Sequence, residues 1–500
     1  RGTMASSSVK VPVVVLLLAI ACTEGSPFFG NNYVLPQGAR LASSATAVVR
    51  NLDAAQLQVR GLNPTSSNFL SAGAAALRDY VGNTTTVMGQ VFREVAQVAV
   101  DRTTAPAVVF TRLTLAVQGV AQWNRNLSSS LEVLKEAFNY DVNSNTASYL
   151  EKLRNAFGQN VQELAEVLVR LGDAVLPVAG QPLNTQQFLQ VVSANGTLQQ
   201  LLDVVEYTVR LSGEYSTSVS TLVAAVRAAN DFQARSYALL RTNQASINTN
   251  VDRYNTASNT SFYRFLTAAD SLLTHLKDTN ESFVFRWPLL FSESVHQKLN
   301  LLNHSIDHLT GNLLQRTVTV AQNLERTSAL FKEGNNPLSY LREETDLYTR
   351  VMLDVLSGEN FCATGFVTTF NALPAQVTSR VAACLTEQTN LENQGSSQLV
   401  SLANNFLRPY VTAVYGRLNI CFQQPFERMS ECLDDIVATI DFRDKFFLLD
   451  LASHLYFQQV QEELPLCNDR VLQFVRNAGL RESCRIMSAA ADTSTYYPLA

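Results

Sequence analysis

Apolar residues recur along this chain at alternating steps of three and four, which is the spacing of one face of an α-helix. The longest run covers residues 110–138 and holds the 3.5-residue repeat of a helix–helix seam for four heptads. Its members are Phe110, Leu113, Val117, Val120, Leu127, Leu131, Leu134 and Phe138. Asn124 interrupts the run where an apolar residue is due. Either Asn124 fixes the register of the seam, or Trp123 takes the core position beside it.

Three further runs repeat the same spacing. They consist of Val161, Leu164, Leu168, Leu171, Val175; of Leu198, Leu202, Val205, Val209; and of Val295, Leu299, Leu302, Ile306, Leu309, Leu313. Alternation of period two is nearly absent, and no pair of segments has the pattern of a β-hairpin. The pattern predicts an all-α protein with long helices in a bundle or rod arrangement. The seams can close within one chain or between chains, so an oligomer is one of the expected states.

Helix-breaking residues divide the chain into regions. The strongest loop pattern in the middle is Gly334-Asn335-Asn336-Pro337. We therefore predict an N-terminal helical array over residues 51–350 and a second helical domain over 355–488. Residues 26–50 are rich in small residues and are predicted to form a poorly ordered N-terminal segment, and 489–500 a loose tail.

The N-terminal residues 4–25 have the composition of a secretory signal peptide. Lys10 precedes an apolar run of 11 residues from Val11 to Ala21, and small residues follow. That run is about half the length that a membrane-spanning helix needs. No later stretch reaches 18 apolar residues. The sequence therefore predicts a secreted, extracellular protein without a transmembrane anchor.

The composition of the chain limits the classes of partner that are expected. Charged residues make up 16% of the chain, below the roughly 25% of ordinary soluble domains, and the net charge is −5. No basic run of five or more residues occurs, so nucleic acid is not an expected partner. Six N-x-S/T sequons permit N-glycosylation, although this composition gives about that number by chance. They begin at Asn83, Asn126, Asn195, Asn259, Asn280 and Asn303.

Six cysteines follow the predicted signal peptide, and all lie in the last third of the chain. They are Cys362, Cys384, Cys421, Cys432, Cys467 and Cys484. An even number confined to one region of an exported chain predicts disulfides, with 15 pairings open. Cys362 and Cys384 bracket one predicted helix, and Cys467 and Cys484 bracket another. Because the ends of such a helix lie roughly 25–33 Å apart, each of these cysteines should bond to a different helix.

The region around these cysteines resembles a known family. The motifs are Phe361-Cys362-Ala363-Thr364-Gly365-Phe366, then Leu373-Pro374, then Ala382-Ala383-Cys384-Leu385, with a final Cys467–Cys484 unit. Together they resemble the TsetseEP domain of secreted insect proteins over residues 355–488. The resemblance implies a secreted, helical, non-enzymatic protein, and it transfers no functional residue.

Candidate chemistry is sparse. His304 and His308 are four apart, a spacing that can present two imidazoles to a metal. Leu302, Ile306 and Leu309 occupy the seam of the same helix, so both histidines fall off the core face and we predict no metal site. No hydrolase, P-loop or dinucleotide motif is present, and no cofactor is expected. The chain is not expected to be an enzyme.

Aromatic residues are concentrated at residues 262–265 and 283–291. They predict either the closed end of a helical bundle or an apolar groove for a lipid or a partner helix. We expect a secreted, non-enzymatic helical protein that acts through binding or structural surfaces. The alternative is a carrier of lipid or another apolar ligand in a helical bundle.

Overall fold

A computed structural model describes residues 26–101, 103–138, 145–286, 293–332, 336–353 and 359–478. The predicted signal peptide, the C-terminal tail and the side chains of Cys362 and Cys484 lie outside this description. The described chain is almost entirely α-helical, which confirms the predicted fold class. The helices are α1 (Pro36–Arg60), α2 (Asn68–Val98), α3 (Pro106–Phe138), α4 (Asn145–Val175), α5 (Thr185–Val192), α6 (Thr197–Arg286), α7 (Glu293–Ala329), α8 (Pro337–Val351), α9 (Glu359–Leu402), α10 (Arg408–Cys421), α11 (Phe426–Ala438) and α12 (Phe442–Asn477). A π-helical turn over Ala403–Leu407 joins α9 to α10.

A short β-hairpin precedes the first helix. Strands β1 (Ser26–Phe28) and β2 (Asn31–Leu35) pair antiparallel around a turn in which Phe29 and Gly30 both have positive φ. The buried Phe29 ring stacks on Phe110 at 5.6 Å between centroids. Pro36 then occupies the first turn of α1, where its missing N–H costs nothing. The sequence pattern predicted no hairpin, and that expectation is wrong here, because one buried aromatic residue and a left-handed turn hold the two strands. The poorly ordered segment predicted over 26–50 instead contains this hairpin and the start of α1.

Most apolar residues of the predicted seams are buried, while Val117 and Val209 are half-buried and the side chain of Leu127 lies outside the described residues. Trp123 is buried in α3 and takes the core position beside the interruption, which supports the second alternative. All six apolar residues of the α7 seam are also buried within the chain. Among the described residues, none of the helices combines the length and the apolarity needed to cross a bilayer.

The chain divides into two compact units at places the sequence does not mark. Unit 1 holds the residues up to Arg235 and Asp346–Phe366, while unit 2 holds Ser236–Thr345 and Val367–Ser483. The predicted boundary near residues 350–355 is therefore not the division observed. Residues 334 and 335 of the predicted loop lie outside the described residues, and α8 begins at Pro337. Helix α6 contributes residues to both units.

Unit 1 is an up-and-down bundle of α1, α2, α3, α4 and the first part of α6. Thr85 of α2 donates to the carbonyl of Leu52 in α1 at 3.2 Å, and Arg112 of α3 pairs with Glu94 of α2 at 2.6 Å. The buried Asn160 of α4 donates to a main-chain oxygen of α6 at 3.2 Å. These polar contacts join neighbouring helices whose apolar faces form the core.

Unit 2 is built on four long helical segments: the second part of α6, then α7, α9 and α12. Helix α7 folds back along α6, and Arg316 of α7 pairs with Asp450 of α12 at 2.8 Å. Gly395 of α9 lies against the ring of Tyr456 in α12, where an added Cβ would stand 1.9 Å from a ring carbon. A side chain at this position would therefore force the two helices apart.

Two disulfides are described, both in unit 2. Cys384 of α9 bonds Cys467 of α12 with a Cα–Cα distance of 5.8 Å. Cys421 at the end of α10 bonds Cys432 of α11 at 5.6 Å. The prediction that Cys384 and Cys467 each bond to a different helix is confirmed.

Candidate functional site

Unit 1 contains a groove of about 600 Å³ between α3 and α4. Its lining residues come from these two helices alone. They are Phe110, Leu113, Thr114, Val117, Gln118, Val120 and Ser128 of α3, and Arg154, Gly158, Val161, Gln162, Ala165, Leu168 and Val169 of α4. The groove is therefore a gap along a helix–helix seam.

Small residues in α4 account for this gap. Gly158 and Ala165 lie on the same face as Val161 and Leu168, at steps of three and four. Helix axes in contact stay roughly 8–10 Å apart, so side chains this small leave the space between them unfilled. One turn beyond Leu168, Gly172 is instead covered by the Phe110 ring, whose nearest atom lies 3.3 Å from the position of an added Cβ.

The groove has apolar walls and a polar rim. Leu113, Val161 and Leu168 are buried at its base, whereas Val169 is 58% exposed beside it. Thr114, Gln118 and Gln162 are exposed along the edges. This combination resembles a small-molecule site, in which apolar contact supplies affinity and a few polar groups fix orientation.

Arg154 is the charged residue of the lining, and it lies beside Ser128. Its side chain is 13% exposed, and Nη1 donates to Ser128 Oγ. Nε and Nη2 both donate to Asn155 Oδ1, at 3.3 and 2.8 Å. The nearest carboxylate oxygen belongs to Glu151, 3.8 Å from Nη2. The lining therefore presents one cation and several neutral polar groups, a set suited to binding and orienting a ligand.

Lys135 stands at the same end of the two helices. It lies 2.8 Å from Glu132 and 3.7 Å from Glu151. The hydrogen bond to Glu132 raises the pKa of Lys135, and burial opposes the shift. The Glu151 carboxylate is thus shared between Lys135 and Arg154.

Unit 2 contains a second cleft, of about 550 Å³, between α7 and the start of α12. His304 and His308 both line it, together with Asp450 and the 60% exposed Phe447. Asp450 is already held by Arg316 through both carboxylate oxygens. Within the described ranges, no three His, Cys, Asp or Glu residues converge as metal ligands.

A buried polar cluster lies in the core of unit 2. Glu392 of α9 is fully buried and accepts a hydrogen bond from the hydroxyl of Tyr254 in α6 at 2.7 Å. Its main-chain oxygen accepts from Tyr456 of α12 at 2.8 Å. Burial raises the pKa of Glu392, and hydrogen bonds from Tyr254, Ser258 and Gln388 partly offset the shift. This cluster opens to no described pocket and ties three helices together.

The sequons differ in accessibility. Asn83, Asn195 and Asn259 are exposed, and the side chain of Asn126 lies outside the described residues. Asn280 is 1% exposed, donates to Leu299 O at 3.1 Å and to Asn303 Oδ1 at 2.7 Å, and accepts from Tyr415. An oligosaccharide has no room there, so we expect Asn280 to carry no glycan in the folded chain.

Of the aromatic groups noted in the sequence, Phe262 and Phe265 are buried against Phe457 in unit 2. They form core, whereas the groove of unit 1 lies elsewhere. One sequence signal for this groove exists, since the small residues Gly158 and Ala165 fall on the seam face of α4. The apolar repeat alone does not predict the groove, because the valine and leucine positions beside these small residues keep their regular spacing.

Comparison with known protein families, curated proteins and solved structures found no match for this chain. The function is therefore inferred from the geometry of the groove.

Proposed function

We propose that this protein binds an apolar or amphipathic small molecule in the groove between α3 and α4. The observation that carries the proposal is the groove itself: about 600 Å³ of space with apolar walls and a polar rim. Ligand pockets for small molecules commonly span about 300–1,000 Å³. Of the two functions expected from the sequence, a carrier of an apolar ligand is the one that this cleft favours.

The energetics support a ligand with an alkyl chain. Each methylene transferred from water to an apolar site contributes roughly 0.8 kcal/mol. Half-buried Val117 and exposed Val169 leave apolar surface in contact with water, and a ligand would cover it. The ligand would therefore remove apolar surface on both partners.

The wider setting of the proposal is a secreted, non-enzymatic protein. The apolar segment within 4–25, the paired cysteines and the resemblance to the TsetseEP domain all support export. Such a protein would carry its ligand through an aqueous extracellular medium. The polar rim suits this role, since Gln118 and Gln162 would remain in water around a bound chain.

Filling the groove tests the proposal. Ala165→Phe places a ring in the gap, and Gln159→Phe adds the same ring at an exposed position of α4 outside the lining. With delipidated full-length protein, we expect the neutral fluorescent probe N-phenyl-1-naphthylamine to bind wild type and Gln159→Phe alike. Ala165→Phe should bind it at least about tenfold more weakly, because the ring takes the place of the ligand.

Circular dichroism of each variant shows whether the helices are retained. Equal probe binding by wild type and a folded Ala165→Phe variant would rule out this groove as the site. Mass spectrometry of an organic extract of the untreated protein supplies an independent check, since a carrier should release a bound lipid.

A further inference from the structure

We propose that the ligand of this groove is a long-chain amphiphile with a single anionic head, and that Arg154 binds the head. The inference rests on the proposed function and specifies the class of its ligand. It is carried by the placement of one largely buried guanidinium at one end of an otherwise uncharged lining.

Among the described residues, Arg154 has one carboxylate within 4 Å, and it shares that carboxylate with Lys135. A charge held away from water requires a partner of opposite charge. Glu151 is the nearest, yet its oxygen lies 3.8 Å from Nη2, beyond hydrogen-bonding distance. Glu151 is also 44% exposed and is shared with Lys135 at 3.7 Å. An anion in the groove would therefore give Arg154 a closer partner than Glu151, at hydrogen-bonding distance.

The guanidinium also has unused donors. An arginine side chain carries five N–H groups in a planar fork. Three of them are engaged by Ser128 Oγ and Asn155 Oδ1. One N–H on Nη1 and one on Nη2 have no hydrogen-bond acceptor among the described residues. Donors on the two terminal nitrogens match the two oxygens of a carboxylate, which arginine binds in bidentate geometry.

The length of the groove suits a long chain. Arg154 marks one end and Leu168 the other, and 14 residues of α4 rise about 21 Å. Val161 and Ala165 form the wall between them, with Val117 facing from α3. A head on Arg154 would direct its alkyl chain along this wall towards Phe110.

The competing ligand is a neutral lipid held by apolar contact alone. Palmitate and methyl palmitate separate the two, because the ester has the same chain without the charge. Each is measured by displacement of N-phenyl-1-naphthylamine from delipidated full-length protein. We expect wild type to bind palmitate about tenfold or more tightly than the ester, as charge-assisted hydrogen bonds are the stronger kind.

Arg154→Met should weaken palmitate binding about tenfold and change ester binding much less, because the ester carries no charge. Arg170→Met is the matched control, since Arg170 is an exposed arginine of the same helix whose Nε donates to its own turn at Glu166. A second variant, Ser128→Glu, supplies an internal carboxylate to Arg154. It should weaken palmitate binding selectively, and it tests the inference even where Arg154→Met fails to fold.

Equal affinity of wild type for palmitate and ester would overturn the anionic head. Unchanged palmitate binding in a folded Arg154→Met variant would do the same. Both results leave the groove as a site for neutral lipid, provided that the probe still binds. Failure of wild type to bind the probe, palmitate and ester would instead contradict the proposed function.

Discussion

Glu392 and Arg154 are ionisable side chains placed largely out of water, and their surroundings give them different roles. Glu392 is enclosed by hydroxyl and amide groups of unit 2 and touches no described cleft. Arg154 borders an open groove and retains donors that no described residue uses. The first arrangement is that of a structural cluster, and the second that of a binding site.

The buried carboxyl of Glu392 should make the stability of the folded chain depend on pH. Its pKa is raised in the folded state, so the folded chain holds this proton at pH values where the unfolded chain has lost it. The group therefore supports folding at low pH, and its contribution falls as pH rises from the ordinary carboxyl pKa through the raised one. Glu392→Gln keeps an acceptor for Tyr254 and removes the ionisation.

We expect Glu392→Gln to be more stable than wild type at pH 7, with the difference shrinking towards pH 4. Urea unfolding followed by circular dichroism at several pH values measures it. Glu387→Gln, an exposed change five residues earlier on α9, is the control for the loss of one carboxylate. A difference between wild type and Glu392→Gln that is constant across this range would contradict the assignment.

At the scale of single elements, α4 shows how side-chain size within a seam controls packing. Its apolar repeat holds the helix in the bundle, while Gly158 and Ala165 open space against α3. In unit 2, Gly395 has the opposite effect, since its missing side chain admits the ring of Tyr456. A small residue on a seam therefore produces a groove or a close contact according to what the facing helix presents.

The two disulfides should differ in how much each contributes to the free energy of unfolding. The Cys384–Cys467 bridge spans 83 residues and joins α9 to α12, whereas Cys421–Cys432 spans 11. Loop-closure entropy gives about 4.5 kcal/mol for the first and about 2.7 kcal/mol for the second. We therefore expect the pair Cys384→Ala/Cys467→Ala to lose more unfolding free energy than Cys421→Ala/Cys432→Ala.

Urea titrations of the two double variants check this order. The variant without the Cys421–Cys432 bridge is the matched control, because each double variant removes two sulfurs from unit 2. Equal losses, or a greater loss for the short bridge, would show that chain entropy does not dominate the stabilisation.

At the scale of the whole molecule, the two described disulfides both lie in unit 2, and the proposed ligand groove lies in unit 1. One helix, α6, contributes to both units. Among the described residues, the two disulfides and the proposed ligand groove thus lie in different parts of one chain.

The proposed export leads to a prediction about which sequons carry glycans. Asn195 is exposed in a turn with positive φ just before α6, so a glycan there meets solvent. Asn280 is buried and hydrogen-bonded to Leu299 and Tyr415. Glycopeptide mapping of protein secreted from insect cells should find Asn195 modified and Asn280 bare.

The matched variants differ in readout. Asn195→Gln should lose the mass of one glycan without a change in stability. Asn280→Gln should show no glycan-sized change in mass. It should lose about 1–3 kcal/mol of unfolding free energy, because it disrupts buried hydrogen bonds. A glycan on Asn280 of folded protein would contradict the buried position of that side chain.

Much of the helical architecture follows from local pattern. The repeats at Val295–Leu313 and in α3 mark buried faces because an apolar stripe at this spacing can be removed from water only by packing against another helix. The geometry of a helix likewise requires Cys384 to find a partner on another helix. The hairpin before α1 could not be predicted from local pattern, since it depends on the packing of Phe29 on Phe110, which is distant in sequence.

The sequence by itself thus determined the fold class, the core faces of the main helices and the restriction of cysteines to one region, because each depends on spacing along the chain. Tertiary structure alone decided that Cys384 pairs with Cys467, that α6 serves two units, and that Arg154 borders a groove. These features depend on which faces meet in space. Helix pairing places a glycine opposite a tyrosine in one unit and leaves a gap beside an alanine in the other, and no local pattern distinguishes the two outcomes.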